Sequence, residues 1–382
     1  MSVLTRSSRR AILAGLVISV AALPAFVLSQ PASAAPAPTA ATETSVKGTP
    51  GVTAAAWAAG RAVRGNAATA TDAVTSYWTA ARMKAAAPVE DSPTFQAAVK
   101  QYERTKDSKE ARDAAANENG APMSVGAQGG LLGKAAKSAT AAKSKGLKAA
   151  AVNPNLPYYS PTARTSGKVF FTMNGLNYQC SGTIVNSEGL DTVWTAGHCV
   201  NPGSGGAWAY NWQFVPAYNS ASATPRPYGT WTANQLWTTG AWYGSSDFTA
   251  DMGVAIMNTN FGYHIVNYLG GQGLRVNAGK NVWENAFGYP AEAPFGGGTL
   301  YRCYGTSSPE WTVLWVTSDT IKIPCDMTRG SSGGGWLHGW DGNWGYLNGI
   351  NSRIDRIVGP TIMLSPYFDD TALGLYNTTR WL

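Results

Sequence analysis

Charge, histidine and cysteine are all scarce in this sequence of 382 residues. Only 13% of the residues are charged, three are histidine and four are cysteine. No two cysteines or histidines have the C-x-x-C or H-x-x-x-H spacing typical of a zinc site, and no cofactor motif occurs. We therefore expect neither a metal nor a cofactor.

Glycine and aromatic residues are abundant instead, with 43 glycines, 15 tryptophans and an aromatic content of 11%. This composition favours a turn-rich β protein over a helical bundle or a disordered chain. The net charge of +7 is unevenly distributed, because residues 151–382 contain 11 basic and 13 acidic residues. A nucleic-acid-binding protein would need a basic face in its folded part, so we expect no nucleic-acid partner.

Residues 1–34 have a basic start, an apolar stretch from residue 11 to 28 and the small-residue ending Ala32-Ser33-Ala34. This pattern predicts a signal peptide and a secreted, extracellular protein with no membrane attachment after cleavage. The alternative is an N-terminal membrane anchor, against which Pro24 and the Ala-x-Ala ending argue. The adjacent arginines in "SRRAIL" also resemble a twin-arginine export signal, so the export route stays open.

Residues 35–150 are dominated by Ala, Lys, Thr and Ser and contain few large apolar side chains. We interpret them as a pro-region and linker, partly disordered, that is removed during or after export and is a possible inhibitor of the mature protein. Residues 93–116 predict a short amphipathic helix, with Phe95, Val99 and Tyr102 on one face. Lys145 and Lys148 offer cleavage points, and a structured binding domain is the alternative interpretation.

The composition changes abruptly after residue 150. The segments 168–173 and 176–185 flank Asn174-Gly175, the dipeptide most typical of a β-hairpin. Many short strands between turn residues predict a sandwich or a barrel, and about 230 residues suffice for two small barrels. "FDDTALGLYNTT" predicts a closing helix. Further candidate strands are 192–196, 207–217, 252–257, 281–288, 299–304, 311–317, 320–323, 344–351 and 361–365.

Cys180, Cys199, Cys303 and Cys325 form an even set in the part of the chain expected to be exported. An oxidising compartment therefore predicts two disulfides, for which three pairings are possible. Among the histidines, only one lies beside a cysteine, in "VWTAGHCV", whereas His264 and His338 lie in settings with no such neighbour.

Three motifs in chain order resemble the chymotrypsin-like serine proteases. They are "CSGTIVNSEGLDTVWTAGHC" (residues 180–199), "DMGVAIM" (251–257) and "RGSSGGGW" (329–336), and the resemblance extends over about residues 165–365. The resemblance implies two six-stranded antiparallel β-barrels with a short C-terminal helix, preceded by the Ala-rich region, so that 151–382 is the protease domain. It also implies pairing of Cys180 with Cys199 and of Cys303 with Cys325.

The resemblance assigns catalytic roles residue by residue. It implies His198 as general base, Asp251 as the acid that orients it and Ser332 as nucleophile, with the N–H groups of Gly330 and Ser332 forming the oxyanion hole. Ser332 is chosen over Ser331 because two glycines follow it and one stands two residues before it. Asp247 is the rival of Asp251, but the apolar strand follows Asp251.

The sequence departs from the digestive members of this family at Ser331, where they have an acid that pairs with the new N-terminus. Together with "FGYP", this resembles the bacterial V8-like, or glutamyl endopeptidase-like, branch. Asp326, six residues before Ser332, is the expected pocket acid for Lys or Arg, with a small or neutral residue as the alternative. The following strand offers Asn348, Gly349 and Asn351 for substrate binding but no histidine, which disfavours glutamate specificity.

Two classes of function remain. The first is a secreted, monomeric serine endopeptidase made as a pre-pro-protein, which acts on peptide or protein substrates. The second is a catalytically inactive secreted β-barrel whose tryptophans bind peptide or polysaccharide, although tryptophans in a β domain are most simply core residues. A complete set of triad candidates favours the enzyme.

Overall fold

The structure is a computed structural model that describes residues 45–108, 120–132, 148–311, 317–355 and 362–382. The predicted signal peptide lies outside these residues. Helices α1 to α4 precede the β domain, and three short helices and a longer C-terminal helix belong to it. In order, the eight are Ala54–Arg64, Ala70–Tyr77, Ala80–Ala85, Pro93–Thr105, Pro161–Thr165, Gly240–Ser245, Ile265–Leu269 and Asp370–Thr379. The last of these, α8, confirms the predicted closing helix.

A six-stranded antiparallel barrel forms the first half of the β domain. It closes because its fifth strand along the chain pairs with both the fourth and the sixth. Its core is rich in Val, Ile, Phe and Trp, including the fully buried Trp194 and Trp231. Two strands from the preceding segment add to its outside: β1 (Ser45–Gly48) and β2 (Ala87–Pro88). The barrel strands β5 to β10 are Ser166–Met173, Leu176–Ile184, Thr192–Thr195, Tyr210–Pro216, Trp231–Thr239 and Gly253–Met257.

The second half contains two sheets, whereas the resemblance implied one six-stranded barrel. The seven-stranded sheet contains two strands that precede the first barrel in the chain and five that follow it. The disulfide between Cys303 and Cys325 joins this sheet to the four-stranded sheet. In sheet order, the first consists of β3 (Met123–Val125), β11 (Gly273–Val276), β17 (Tyr346–Ile350), β16 (Gly335–His338), β12 (Trp283–Gly288), β13 (Tyr301–Thr306) and β4 (Lys148–Val152). The second consists of β14 (Ser308–Trp311), β15 (Thr317–Pro324), β19 (Ile362–Pro366) and β18 (Arg353–Asp355).

The Asn174-Gly175 hairpin is confirmed. Met173 pairs with Leu176, and both turn residues have positive φ, 51° and 79°, as a tight primed turn requires. The structure also pairs Cys180 with Cys199, the first of the two implied disulfides. The predicted boundary at residue 150 falls within β4, which pairs with β13.

The described part of residues 35–150 has few large apolar side chains, but it buries several of them. Trp78 is 1% exposed and packs with Val74 and Met83 against Phe170 of the barrel. These apolar residues therefore pack both on each other and on the β domain. The predicted helix is present as α4 from residue 93 to 105; its expected remainder from 109 to 116 lies outside the described residues.

Within the described residues, no helix is long and apolar enough to cross a membrane.

Candidate active site

His198 and Asp251 are brought together by two paired strands of the first barrel. Thr195, at the end of β7, pairs with Gly253, at the start of β10, and each catalytic candidate lies within three residues of this pair. His198 occupies a single 3-10 turn after β7, and Asp251 follows another 3-10 turn before β10. The adjacent strand ends therefore place an imidazole and a carboxylate side by side.

The contact between them orients the imidazole. His198 Nδ1 lies 2.8 Å from Asp251 Oδ2, and the backbone N–H of His198 donates to Asp251 Oδ1 at 2.9 Å. Ser352 Oγ also donates to Asp251 Oδ2, at 2.6 Å. Both His198 and Asp251 are at most 1% exposed. A buried carboxylate with three such donors fixes the ring and leaves Nε2 as the atom available for proton transfer.

Asp247, the rival acid, lies apart from this contact. Its Oδ1 accepts from the N–H and the hydroxyl of Thr249, so it caps the turn that leads to Asp251. The two acids have separate structural positions, and only Asp251 contacts His198.

The loop around Ser332 depends on its glycines. Gly330 and Gly333 have φ of 90° and 80°, in the left-handed region that favours glycine. A Cβ on Gly333 would lie 2.1 Å from Thr195 Oγ1, and one on Gly334 would lie 2.0 Å from the Phe287 carbonyl oxygen. The carbonyl of Ser332 accepts from Ser181 N–H of β6 at 2.7 Å. These contacts tie the serine loop to the first barrel.

A carboxylate from the preceding segment lies on the serine. Glu90 Oε1 accepts from Ser332 Oγ at 2.5 Å, and the N–H of Gly330 lies 3.0 and 3.2 Å from the two Glu90 oxygens. The N–H expected to stabilise an oxyanion therefore donates to a side chain of the same chain. Burial raises the pKa of Glu90, although its contacts with His198 and Ser332 oppose that rise.

Two neighbouring elements hold Glu90 in place. β2 pairs in parallel with β6, and the 3-10 turn Val89–Asp91 follows it directly. Ser92 then caps α4, and Gln96 of that helix donates to the Glu90 carbonyl at 2.5 Å. Asp91 forms an ion pair with Arg329, two residues before Ser331. The acid is thus fixed between a strand and a helix that both pack on the β domain.

The same segment covers the histidine. The Phe95 ring lies 4.7 Å from the His198 ring, centroid to centroid, and 5.7 Å from Phe248. His198 Nε2 is buried and has no hydrogen-bond partner among the described residues. Since Ser332 Oγ donates to Glu90 instead, the expected base and nucleophile are not joined in this state.

A cavity of about 220 Å³ lies beside Ser332 under α4. The β domain lines it with Arg329, Ser331, Ser352 and β18, and the preceding segment lines it with Glu90, Phe95 and Glu103 among others. Sequence reasoning missed Glu90, Phe95, Ser352 and Arg353. The predicted amphipathic helix over residues 93–116 gave the position of α4 and placed Phe95 on its apolar face, but it contained no information about what this helix covers.

The four predicted substrate-binding residues do not line this cavity in the part of the chain that the structure describes. Asp326 accepts from the N–H of Ala151 in β4, and Asn348 donates to Glu284 at 2.7 Å. Gly349 lies against Ser365. Asn351 donates to the carbonyl of Ser331 at 3.0 Å and exchanges main-chain hydrogen bonds with Gly333 and Gly334. Asn351 therefore supports the serine loop.

Two solved structures are similar to this chain. One is a thermostable serine protease, AL20, from an extremophilic microorganism; it is 36% identical, and the match covers 57% of this chain and 97% of that chain with a TM-score of 0.52. The other is the protease Anisep from Arthrobacter nicotinovorans; it is 38% identical, with coverage of 58% and 97% and a TM-score of 0.53. No model of a known protein family matches the sequence, and neither does the sequence of any curated protein.

Proposed function

This chain belongs to the chymotrypsin-like serine proteases, and on that premise we propose that it is a secreted serine endopeptidase made as a pre-pro-protein. The observation that carries the proposal is the buried contact of Asp251 with His198, in the same cleft as Ser332. Both similar structures are named as proteases, which supports peptide or protein substrates. The two disulfides support an oxidising, extracellular location.

In the proposed reaction, His198 Nε2 takes the proton of Ser332 Oγ as the oxygen attacks the carbonyl carbon of the substrate. Asp251 holds the imidazole in the required tautomer and stabilises the imidazolium that forms. The N–H groups of Gly330 and Ser332 stabilise the oxyanion, at roughly 3 kcal/mol for each donor. His198 then gives its proton to the leaving amine, and water hydrolyses the acyl-enzyme.

We further propose that the N-terminal segment inhibits the enzyme before it is removed. Glu90 occupies the Gly330 donor and holds the Ser332 hydroxyl, and Phe95 covers His198. A substrate carbonyl cannot reach the same N–H while Glu90 accepts from it. The predicted boundaries at residues 34 and 150 remain part of this proposal, as do the monomeric state and the V8-like branch.

The test is labelling of the secreted protein with a fluorophosphonate, which reacts with activated serines. We expect labelling of the wild type and none of Ser332→Ala, with Ser331→Ala as the matched control that still reacts. A wild-type protein that has lost its N-terminal segment and yet is not labelled would contradict the proposal. The inactive-barrel alternative is not favoured, because both similar structures are proteases and because Trp194, Trp212 and Trp231, at most 1% exposed, are core residues.

A further inference from the structure

Arg353 is a buried cation in the cleft wall that the proposed reaction does not use. It follows Ser352, the residue that donates to Asp251, and it begins β18, the end strand of the four-stranded sheet. Its side chain is 6% exposed, and it lines the cavity beside Ser332. A guanidinium so close to the reacting groups needs a reason, because a buried charge is costly unless it is paired.

The β domain itself pairs only part of this guanidinium. Arg353 Nη2 lies 2.5 Å from Glu310 Oε2. Glu310 also accepts from Thr320 and, at 3.4 Å, from Ser318. Burial opposes its ionisation, but Arg353, the Thr320 hydroxyl and Lys106 hold the pKa of Glu310 below its usual value. Glu310 is therefore a fixed carboxylate whose acceptors are largely used within the β domain.

Of the remaining donor atoms of Arg353, one contacts the N-terminal segment and another has no hydrogen-bond partner among the described residues. Nη1 lies 3.4 Å from Glu103 Oε1 of α4, and Nε is buried with no hydrogen-bond partner among the described residues. The guanidinium also lies over the Tyr102 ring, 4.8 Å from its centroid. When α4 leaves, Nη1 loses its carboxylate and one face of the guanidinium loses its ring. The open cleft then presents a planar donor with at least two unused N–H groups, which is the geometry that a carboxylate fits.

Arg353 lies apart from the place in the cleft where the peptide bond would be cleaved. Glu90 lies on Gly330 and Ser332, whereas Glu103 is a second carboxylate at Arg353. Phe248 lies 5.8 Å from the Arg353 guanidinium and belongs to the turn before Asp251, so Arg353 is on the histidine side of the serine. The N-terminal segment thus fills two separate acid-binding positions at once.

We propose that Arg353 is a specificity-determining residue, which binds an acidic side chain of the substrate at a position that does not flank the cleaved bond. This inference rests on the proposed endopeptidase function. Glu103 takes the place of that side chain until the segment is removed. The neighbouring Glu310 accepts from Lys106 of α4 at 3.5 Å, so a basic substrate side chain is the competing occupant that the test must distinguish.

The experiment uses protein expressed from the full chain and collected from the medium, with active sites counted by fluorophosphonate labelling. The substrates are fluorogenic octapeptides with fixed residues at the cleaved bond and a single Glu, Gln or Lys moved through the other positions. We expect one position at which kcat/KM is about tenfold higher for Glu than for Gln, as one charge-assisted hydrogen bond allows. Ratios within twofold at every position, or a preference for Lys, would overturn the inference.

Variants then identify the residue responsible. Arg353→Gln should reduce the ratio of kcat/KM for the Glu peptide to that for the Gln peptide to within twofold. The double variant Arg353→Gln, Glu310→Gln gives the same result without an unpaired buried carboxylate, which protects the test against a single variant that fails to fold. Arg329→Gln is the matched control, an arginine of the same cavity that should leave the preference intact.

The outcomes separate the two proposals. A protein that is labelled and cleaves Glu and Gln peptides equally keeps the endopeptidase function and loses the acidic subsite. Loss of the preference in Arg329→Gln but not in Arg353→Gln would also contradict the assignment. A mature protein with no labelling and no cleavage contradicts the proposed function, and the subsite falls with it.

Discussion

The N-terminal segment and the β domain bury their apolar side chains in different ways. The β domain has cores of its own, one inside the first barrel and one around the disulfide between Cys303 and Cys325. In the segment from residue 45 to 108, Trp78 and Phe95 instead each belong to a cluster that the segment shares with the β domain. Such shared clusters are suited to a segment that docks on its host and is later released from it.

The two regions also differ in the charge that they bring to the cleft. Residues 35–150 contain 15 basic and 9 acidic residues, yet three acids, Glu90, Asp91 and Glu103, contact the serine loop and the arginines of the cleft wall, and one base, Lys106, contacts Glu310. The wall supplies main-chain N–H groups, Arg329 and Arg353. The positions of individual charged side chains, and not the net charge of the segment, therefore determine which part of the segment binds in the cleft.

The largest expected effect concerns the proposed peptide hydrolysis, whose catalytic residues all lie in the β domain. Asp251→Asn should lower kcat of the processed protein roughly 10⁴-fold, because the amide cannot hold His198 in the required tautomer. KM should change little. Asp247→Asn is the matched control, since the Asp247 carboxylate accepts from Thr249 and not from His198, so this variant should retain activity. Equal losses in both variants would contradict the assignment of Asp251.

The second effect concerns docking of the segment. Trp78 is 1% exposed, and its Nε1 donates to the Asn211 carbonyl at 2.7 Å. Trp78→Ala should weaken docking by about 3 kcal/mol, or roughly a hundredfold in the local opening equilibrium. Hydrogen exchange of α1 to α3 in the full chain measures this effect.

In the same experiment the barrel amides should keep their protection, because their core is formed mainly by residues of the β domain, with Val89 as the fully buried contribution of residues 45–108. Val63→Ala, on the exposed face of α1, is the control. Loss of protection in the barrel together with the helices would mean that the two regions unfold as one unit. That result would contradict a segment that can be released from a folded β domain.

The third effect concerns the acid on the serine. In the full-length chain, Glu90→Ala should raise the rate of fluorophosphonate labelling about thirtyfold, because two hydrogen bonds to the reacting groups are lost. The rate is read on the full-length band, before any processing. Asp91→Ala removes only the neighbouring contact with Arg329 and should have a much smaller effect. Inhibition that persists in Glu90→Ala would show that coverage by Phe95 is sufficient.

Local signals in the sequence predicted much of the β domain. The Asn174-Gly175 turn is encoded by two residues, and the segments next to it are rich in β-branched and aromatic residues, so that hairpin and most of the other strands were found. Within the β domain the prediction missed β9, β11, β14, β16 and β18, and the predicted strand 311–317 lies mostly outside the described residues. β9 reads "WTANQLWTT", with polar residues on both faces, and it is a strand because β8, β10 and β1 pair with it. Such pairing is not visible in a local pattern.

The candidate site likewise combines residues that short motifs predict with residues that only long-range contacts bring into place. His198, Asp251 and Ser332 each lie in a short motif, so the sequence singled them out as candidates, and in the structure they lie in one cleft. Glu90 lies 242 residues from Ser332, and nothing around it signals the contact. Its role depends on the docking of β2 and α4, and hence on a surface formed by distant parts of the chain. The predicted pocket residue Asp326 relied on its spacing from Ser332 alone, which does not determine where the side chain points.

The smallest expected effect concerns a second buried charge, which belongs to the β domain and has no carboxylate partner among the described residues. Lys168 is 3% exposed, donates to the Gly297 carbonyl and lies 5.6 Å from the Phe170 and Tyr218 ring centroids. Burial lowers its pKa from 10.5 to about 7. The unfolded chain therefore binds a proton that the folded chain releases between these two values.

Because the unfolded chain holds the extra proton between about pH 7 and 10.5, the free energy of unfolding should rise with pH in this window. We expect a slope of about 1 kcal/mol per pH unit from Lys168, measured by urea unfolding of the disulfide-intact protein at pH 7, 8 and 9. Lys168→Met should abolish this contribution and be more stable than the wild type at pH 7. Lys322→Met, on a lysine that is only partly buried, should keep the wild-type slope. Equal slopes in wild type and Lys168→Met would contradict the lowered pKa of Lys168. They would mean that the β domain compensates the charge of Lys168, as the donors of Gly330 and Ser332 compensate that of Glu90.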